Sequence, residues 1–336
     1  MTSVVSSHQV RVETVDEASD GQRLDNFLAK TCRGVPKSHL YQLIRSGQVR
    51  VNKGRAKADT RLALGDLVRV PPIRTRDKPV EPEGGMRQRS LAGLGERLPV
   101  VYEDESLVVI DKPAGTAAHG GSGVSSGVIE QLRAARPEAR FLELAHRLDR
   151  DTSGLLMLAK TRPMLRRLHE LLRGGRIEKN YVAIVLGQVP RRDKTIRLAL
   201  TRIERASGDR AVVVDPNGRE AVTRVLGLSS RELRSVGLIS LVALRLETGR
   251  THQIRVHMAS SDWPLLGDPR YGRFDINRRA AQQGFTRMYL HARELSFAHP
   301  GTGQRLRLRS QWPQTFGELF EEPVDRAGSE KGGAHD

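Results

Sequence analysis

The stretch His146-Arg147-Leu148-Asp149-Arg150-Asp151-Thr152-Ser153-Gly154 runs without a break into Leu155-Leu156-Met157-Leu158. Dense charge ends in a Thr-Ser-Gly turn, and an apolar run of strand length follows. Such an order sets a carboxylate at the edge of a buried sheet, where it is held rigidly and partly shielded from water. On composition alone Asp149 and Asp151 both qualify, and the plainer alternative is that Asp149 only ties down its arginine neighbours.

Outward from this stretch, short apolar runs recur between glycine turns: Val100-Val101-Tyr102, Leu107 to Ile110, Tyr181 to Leu186 and Ile239 to Leu246. Helical spacing appears at Val128 to Ala135 and Pro163 to Leu172. Strands outnumber helices and do not alternate strictly with them, which predicts an α+β domain with a mixed sheet.

Three further segments place polar groups beside tight turns. Asp111-Lys112-Pro113-Ala114-Gly115 leads to His119-Gly120-Gly121-Ser122-Gly123, but neither a phosphate-loop nor a dinucleotide spacing is present. Lys179-Asn180-Tyr181 opens an apolar run. In Thr248-Gly249-Arg250-Thr251-His252-Gln253-Ile254-Arg255-Val256-His257-Met258, read as extended chain, Gln253, Arg255 and His257 share one face. Arginine is rarely buried without a carboxylate, and Asp149 is the expected partner of Arg255. His252 and His257 lack the spacing or the cysteines of a metal site, and Ser153 does not sit in a Gly-x-Ser-x-Gly elbow, so neither a metal centre nor a serine hydrolase is expected.

The chain of 336 residues carries a formal charge of +17, and its length predicts two domains. Between Asp20 and Val80 stand 14 Lys and Arg against five Asp, +9 in 61 residues where an even spread would give about +3. Here Leu24, Phe27, Leu28 and Leu40, Leu43, Ile44 mark two short helices, with Ser38 as a cap of the second and Gly47 at its end. Val49 to Val51 and Leu67 to Val70 read as strands, with turns at Asn52 to Arg55 and Gly65-Asp66. Lys37, Arg45, Arg50, Lys53 and Arg55 are placed to meet phosphates, although a solvated basic surface would look the same. The expected organisation is a flexible start at 1–19, a basic module at 20–76, a Pro- and Gly-containing linker at 77–98, a larger domain at 99–321 and a tail at 322–336.

One cysteine, Cys32, excludes an internal disulfide framework, and nothing near Met1 has the pattern of a signal peptide. No apolar run approaches the ~20 residues needed to cross a bilayer. A cytoplasmic protein without a membrane partner is expected. Aromatics are only 4%, which disfavours a groove lined by many stacking rings.

GQRLDNFLAK, VPKSHLYQLIRSGQVRVN and GDLVRVPP together resemble an S4 domain, a small RNA-binding module, over about 55 residues. The block His146 to Gly154, Lys179-x-Tyr181, Thr248 to His257, Tyr289-Leu290-His291-Ala292 and Phe297 to Gly301 resemble the RluA-type pseudouridine synthases across nearly the whole chain. The resemblance implies an α+β catalytic domain with a central mixed, largely antiparallel sheet, preceded by the S4 domain. It implies isomerisation of uridine to pseudouridine in 23S ribosomal RNA by a monomer that needs no cofactor and no metal. By the family pattern Asp149 is the essential carboxylate, Arg255 its partner, and Tyr181 the ring that stacks on a flipped uracil. His146, Arg147, Lys179, Arg250, His252 and Gln253 would then meet the RNA around the pocket, and Lys37, Ser38, Arg45, Arg50, Lys53 and Arg55 would grip it on the S4 side. The rival from another class is a non-catalytic RNA-binding or ribosome-assembly protein, which has no physical need of Asp149, Tyr181 and Arg255 together; a second alternative is a synthase of the same family that acts on other uridines.

Overall fold

The structure is a computed structural model that describes residues 10–16, 19–32, 35–73, 98–120, 126–204 and 210–323. The linker through residue 97, Gly121 to Gly123 of the glycine-rich segment and the tail beyond residue 323 lie outside the described residues. The chain divides into two compact units.

The first unit packs helices α1 (Leu24–Thr31) and α2 (Lys37–Arg45) against a four-stranded sheet of order β1-β4-β2-β3, with β1 Arg11–Thr14, β2 Arg50–Val51, β3 Gly54–Arg55 and β4 Leu67–Val70. Leu24, Phe27, Leu28, Leu40, Leu43 and Ile44 are all buried and meet Val49, Val68 and Val70, as their spacing predicts. Gly47 takes φ +73 just past α2, and Asn52 and Lys53 take φ +49 and +69, the pair of left-handed residues that a two-residue hairpin turn requires. Two expectations change here. Ser38 does not cap α2: Pro36 is the capping residue, its fixed φ of −58° and missing N–H suiting the boundary, so Ser38 lies inside the first turn. Residues 11–14 are no loose start but the edge strand β1, antiparallel to β4. Their largely exposed side chains leave no apolar pattern to read.

The second unit is built on a ten-stranded sheet whose path is β10-β13-β14-β9-β15-β8-β6-β5, with β16 added to β15 and β7 to β8. The strands are β5 Val100–Glu103, β6 Leu107–Lys112, β7 Glu143–Leu144, β8 Ser153–Ala159, β9 Glu178–Leu186, β10 Lys194–Arg197, β13 Val222–Leu233, β14 Gly237–Leu246, β15 Leu290–Ala298 and β16 Arg305–Arg309. Between β10 and β13 a separate hairpin forms from β11 (Leu200–Glu204) and β12 (Arg210–Val214). Every pairing in the large sheet is antiparallel except that of β8 with β15, so the sheet is mixed, as expected.

Along β9 the side chains alternate between two cores. Tyr181, Ala183 and Val185 join one, with helices α3 (Val128–Ala135) and α5 (Gln253–Ala259); Val182, Ile184 and Leu186 join the other, with α6 (Phe274–Ala281) and α7 (Gln314–Gly317). Helix α4 (Arg162–Arg173) follows β8, capped by the Thr161 hydroxyl, which accepts from the Met164 N–H. Burial on both faces is why these strands read as continuous apolar runs. Leu98, read as the last linker residue, is buried in the first of these cores.

Gly154 explains the Thr-Ser-Gly turn. It takes φ +107 where β8 meets β15, and a Cβ there would lie 2.3 Å from the Ala292 carbonyl oxygen. Only glycine permits that approach, and it brings the loop carrying Asp149 onto the centre of the sheet.

Candidate active site

Asp149 lies in the loop before β8, Tyr181 on β9 and Arg255 in α5, and all three line one cavity of about 720 Å³, a size suited to a nucleoside-scale ligand. The segment 253–257 is therefore a helix and not the expected strand. Ile254 and Met258, four apart, seat it on the core beside Tyr181. All side chains from Gln253 to Met258 are buried, so alternation of polar and apolar types could not distinguish the two conformations. Gln253, Arg255 and His257 stay buried in the helix as they would have on a strand.

The Arg255 guanidinium is shared between two acids. Nη1 donates to Asp149 Oδ2 at 3.3 Å, while Nε and Nη2 donate to the two oxygens of Asp268 at 2.8 Å each. The expected pairing with Asp149 is present but is the longer contact. Burial works most strongly against the Arg255 charge, but the hydrogen bonds and negative charges of Asp268 and Asp149 together outweigh it and raise its pKa. Burial likewise disfavours the Asp268 carboxylate, which Arg255 and the backbone N–H groups of Tyr271 and Arg270 nevertheless hold below the usual range.

Tyr181 is 8% exposed. Burial, helped by the negative charge of Asp149, pushes its phenol well above the usual value, so it keeps its proton at neutral pH. Its ring forms an apolar wall of the cavity with Leu148, Ile254 and Leu290.

His252 adopts φ +53 and precedes α5. Its Nδ1 lies 2.8 Å from the Tyr271 hydroxyl, whose oxygen accepts from the Val212 N–H, and its Nε2 lies 3.8 Å from Asp149 Oδ1. Burial lowers its pKa despite the pull of Asp149.

The other expected contacts fall into two groups. Arg147 stands exposed at the cavity rim, and Lys179 and Arg250 line it; burial, then the charge of Arg250, draws the Lys179 pKa down. Arg250 is braced by an Nε donation to the Glu220 carbonyl. His146 and Gln253 also line the cavity, but their polar atoms are engaged. His146 Nε2 accepts the Met157 N–H at 3.2 Å, and burial, with the Lys179 charge, lowers its pKa to about 4. Gln253 accepts from Thr248 Oγ1 and the Arg250 N–H and donates to Val222 O and Thr223 Oγ1, which ties the Thr248 turn to β13. Arg202 and Arg219 complete the rim from the β11–β12 region. Neither belongs to a recognisable motif. Asp268 was missed for the same reason, being one acid in a Gly-Asp-Pro turn.

In the first unit Lys37, Ser38, Arg45, Arg50, Lys53 and Arg55 are all exposed. The strand register sets Arg50 opposite both Arg55 and Arg69, so three arginines lie side by side across β3, β2 and β4. Arg69 lies within the GDLVRVPP run but is not among the expected RNA contacts. Among the described residues no group of three or more His, Cys, Asp and Glu gathers as a metal site, and no helix is long and apolar enough to cross a membrane.

A carboxylate held by a buried arginine, a protonated tyrosine beside it and a basic rim around a nucleoside-sized cavity suit chemistry on a base withdrawn from RNA. Residues 106–260 match the family model described as RNA pseudouridylate synthase, and residues 22–68 match the S4 domain. The chain belongs to the RluA family of RNA pseudouridine synthases. It is 45% identical over 312 residues to ribosomal large subunit pseudouridine synthase C of Escherichia coli (strain K12), covering 92% of this chain and 95% of that protein. To the Haemophilus influenzae protein of the same name it is 43% identical over 306 residues, covering 91% and 92%. Among solved structures, human RNA Pseudouridylate Synthase Domain Containing 1 superposes with a TM-score of 0.55 at 25% identity, over 65% of this chain and 84% of that one.

Proposed function

We propose that this protein converts uridine to pseudouridine in the 23S RNA of the large ribosomal subunit, working in the cytoplasm as a monomer. The convergence of Asp149, Tyr181 and Arg255 on one cavity carries the reading. The target uridine leaves its stack and enters the cavity, at a cost of a few kcal/mol that the pocket contacts offset. Asp149, directed by Arg255, acts as nucleophile or base while the bond between base and sugar is exchanged from nitrogen to carbon. Tyr181 packs on the planar base, and its hydroxyl is positioned to help move the C5 proton after the base is rejoined. The reaction rearranges bonds within one nucleotide and consumes neither a redox equivalent nor an energy source.

The basic rim and the S4 unit supply remote binding energy that fixes the reacting nucleotide. The 43–45% identity to large-subunit synthases supports the choice of RNA. Mapping pseudouridines in large-subunit RNA from cells with and without the gene tests it. Specific sites should revert to uridine on deletion and return with the wild-type gene but not with Asp149→Asn; an unchanged map would overturn the reading.

A further inference from the structure

Arg255 commits its strongest geometry to an acid outside the recognised motifs. Two parallel N–H donors meet Asp268 at 2.8 Å each, and a single N–H reaches Asp149 at 3.3 Å. Asp268 is itself immobilised. Its side chain is fully buried, and Oδ1 also accepts the N–H groups of Arg270 at 2.8 Å and Tyr271 at 3.0 Å. Asn277 of α6 donates to the Asp268 carbonyl and accepts from the Gly267 N–H. Gly267 has φ +74, and a Cβ there would collide with the Arg287 carbonyl, so the turn has one available course. The Tyr271 ring covers the guanidinium at 5.1 Å.

A forked guanidinium beside a lone carboxylate closes on both its oxygens. Here Asp268 fills the Nε/Nη2 edge, and of the N–H groups that remain only Nη1 reaches Asp149, at Oδ2. Among the described residues no arginine hydrogen bond goes to Asp149 Oδ1, which faces the cavity and His252. A carboxylate that must form or accept a bond needs such a free oxygen, and one clamped at both oxygens would first have to break the clamp.

We propose that Asp268 is a positioning residue for pseudouridine formation: it occupies the fork of Arg255 so that Asp149 is oriented through one oxygen and keeps the other for the uridine. This rests on the reading of Asp149 as the reacting carboxylate. Because the Asp268 side chain accepts from Arg255 and from its own turn and does not line the cavity, its effect should fall on turnover and not on RNA affinity.

The test compares full-length wild type, Asp268→Asn, Asp268→Glu and Asp149→Asn on a large-subunit RNA transcript, with thermal unfolding, direct RNA titration and steady-state rates for each. Asp268→Asn should lower kcat about 100-fold and Asp268→Glu, which keeps the charge but displaces the fork, about 10-fold. KM and RNA affinity should stay within about twofold of wild type. Asp268→Glu guards against simple collapse of the fold, since the buried arginine keeps an anionic partner. Wild-type kcat per folded molecule in either variant would overturn the proposal, as would failure of both to fold, which would assign Asp268 to the fold alone. Activity in Asp149→Asn would instead remove the underlying reading.

Discussion

The buried ammonium of Lys112 donates to the main-chain carbonyl of Arg150 at 3.0 Å, one residue past Asp149. It also reaches the carbonyls of Pro113 at 2.8 Å and Thr116 at 2.7 Å, so it joins the turn after β6 to the Asp149 loop. Lys112→Met leaves these acceptors without their donor and should destabilise the protein by about 2 kcal/mol. Burial draws the Lys112 pKa down to about 7, against the pull of Asp151 and Asp149. The unfolded chain keeps its proton up to about pH 10.4. Between about 7 and 10.4 the unfolded state therefore holds more protons, and the Lys112 contribution to stability rises with pH; below about 7 both states are protonated and the dependence ends. Urea unfolding from pH 6.5 to 9 should show that rise in the wild type and a flatter profile in Lys112→Met. Parallel profiles would remove the role.

Arg255→Lys keeps a positive charge but loses the fork. One ammonium cannot make the paired contacts to Asp268 and still reach Asp149 with fixed direction. Single-turnover rates should fall at least 100-fold with RNA affinity within about twofold. A rate near wild type would show that charge alone suffices at this position.

Asp149 and Asp151 were equal candidates on composition, and the structure separates their surroundings. Asp149 lines the cavity beside Arg255, whereas Asp151 is absent from that lining and accepts from Arg150 Nε at 3.1 Å. Asp149→Asn should abolish pseudouridine formation while RNA binding persists, and Asp151→Asn should retain most of the activity. Liquid chromatography of nucleosides from digested transcript reads both, and the reverse pattern would exchange the two roles.

What was legible follows from pattern length. Leu24, Phe27 and Leu28, like Leu40, Leu43 and Ile44, repeat at helical spacing and form helices. The charged block before Leu155 does set Asp149 beside a buried strand. Helix α5 was misread because burial on every side removes the polar face that marks an amphipathic helix. Asp268 was invisible for another reason: its importance comes from Arg255, 13 residues away across a turn, and a lone acid beside glycine and proline reads as an ordinary loop. Lys112 sat in a segment weighed only as a phosphate loop, yet its donors serve backbone carbonyls.

The arginine row of the first unit sets the last expectation. Arg50 lies opposite Arg55 and Arg69, an arrangement of like charges that costs stability unless an anion compensates it. The side chains are nonetheless oriented: Arg50 donates to the Gly47 and Lys53 carbonyls and Arg69 to that of Gln48. A phosphate chain passing over the row would neutralise it and release counterions. Arg69→Ala should therefore leave the unit as stable as wild type or slightly more so. It should weaken RNA binding similarly across sequences and reduce the slope of log affinity against log salt by about one, and Arg50→Ala/Arg69→Ala should reduce it by about two. Titrations at several salt concentrations check this, and an unchanged slope in the double variant would mean that RNA does not run across this face.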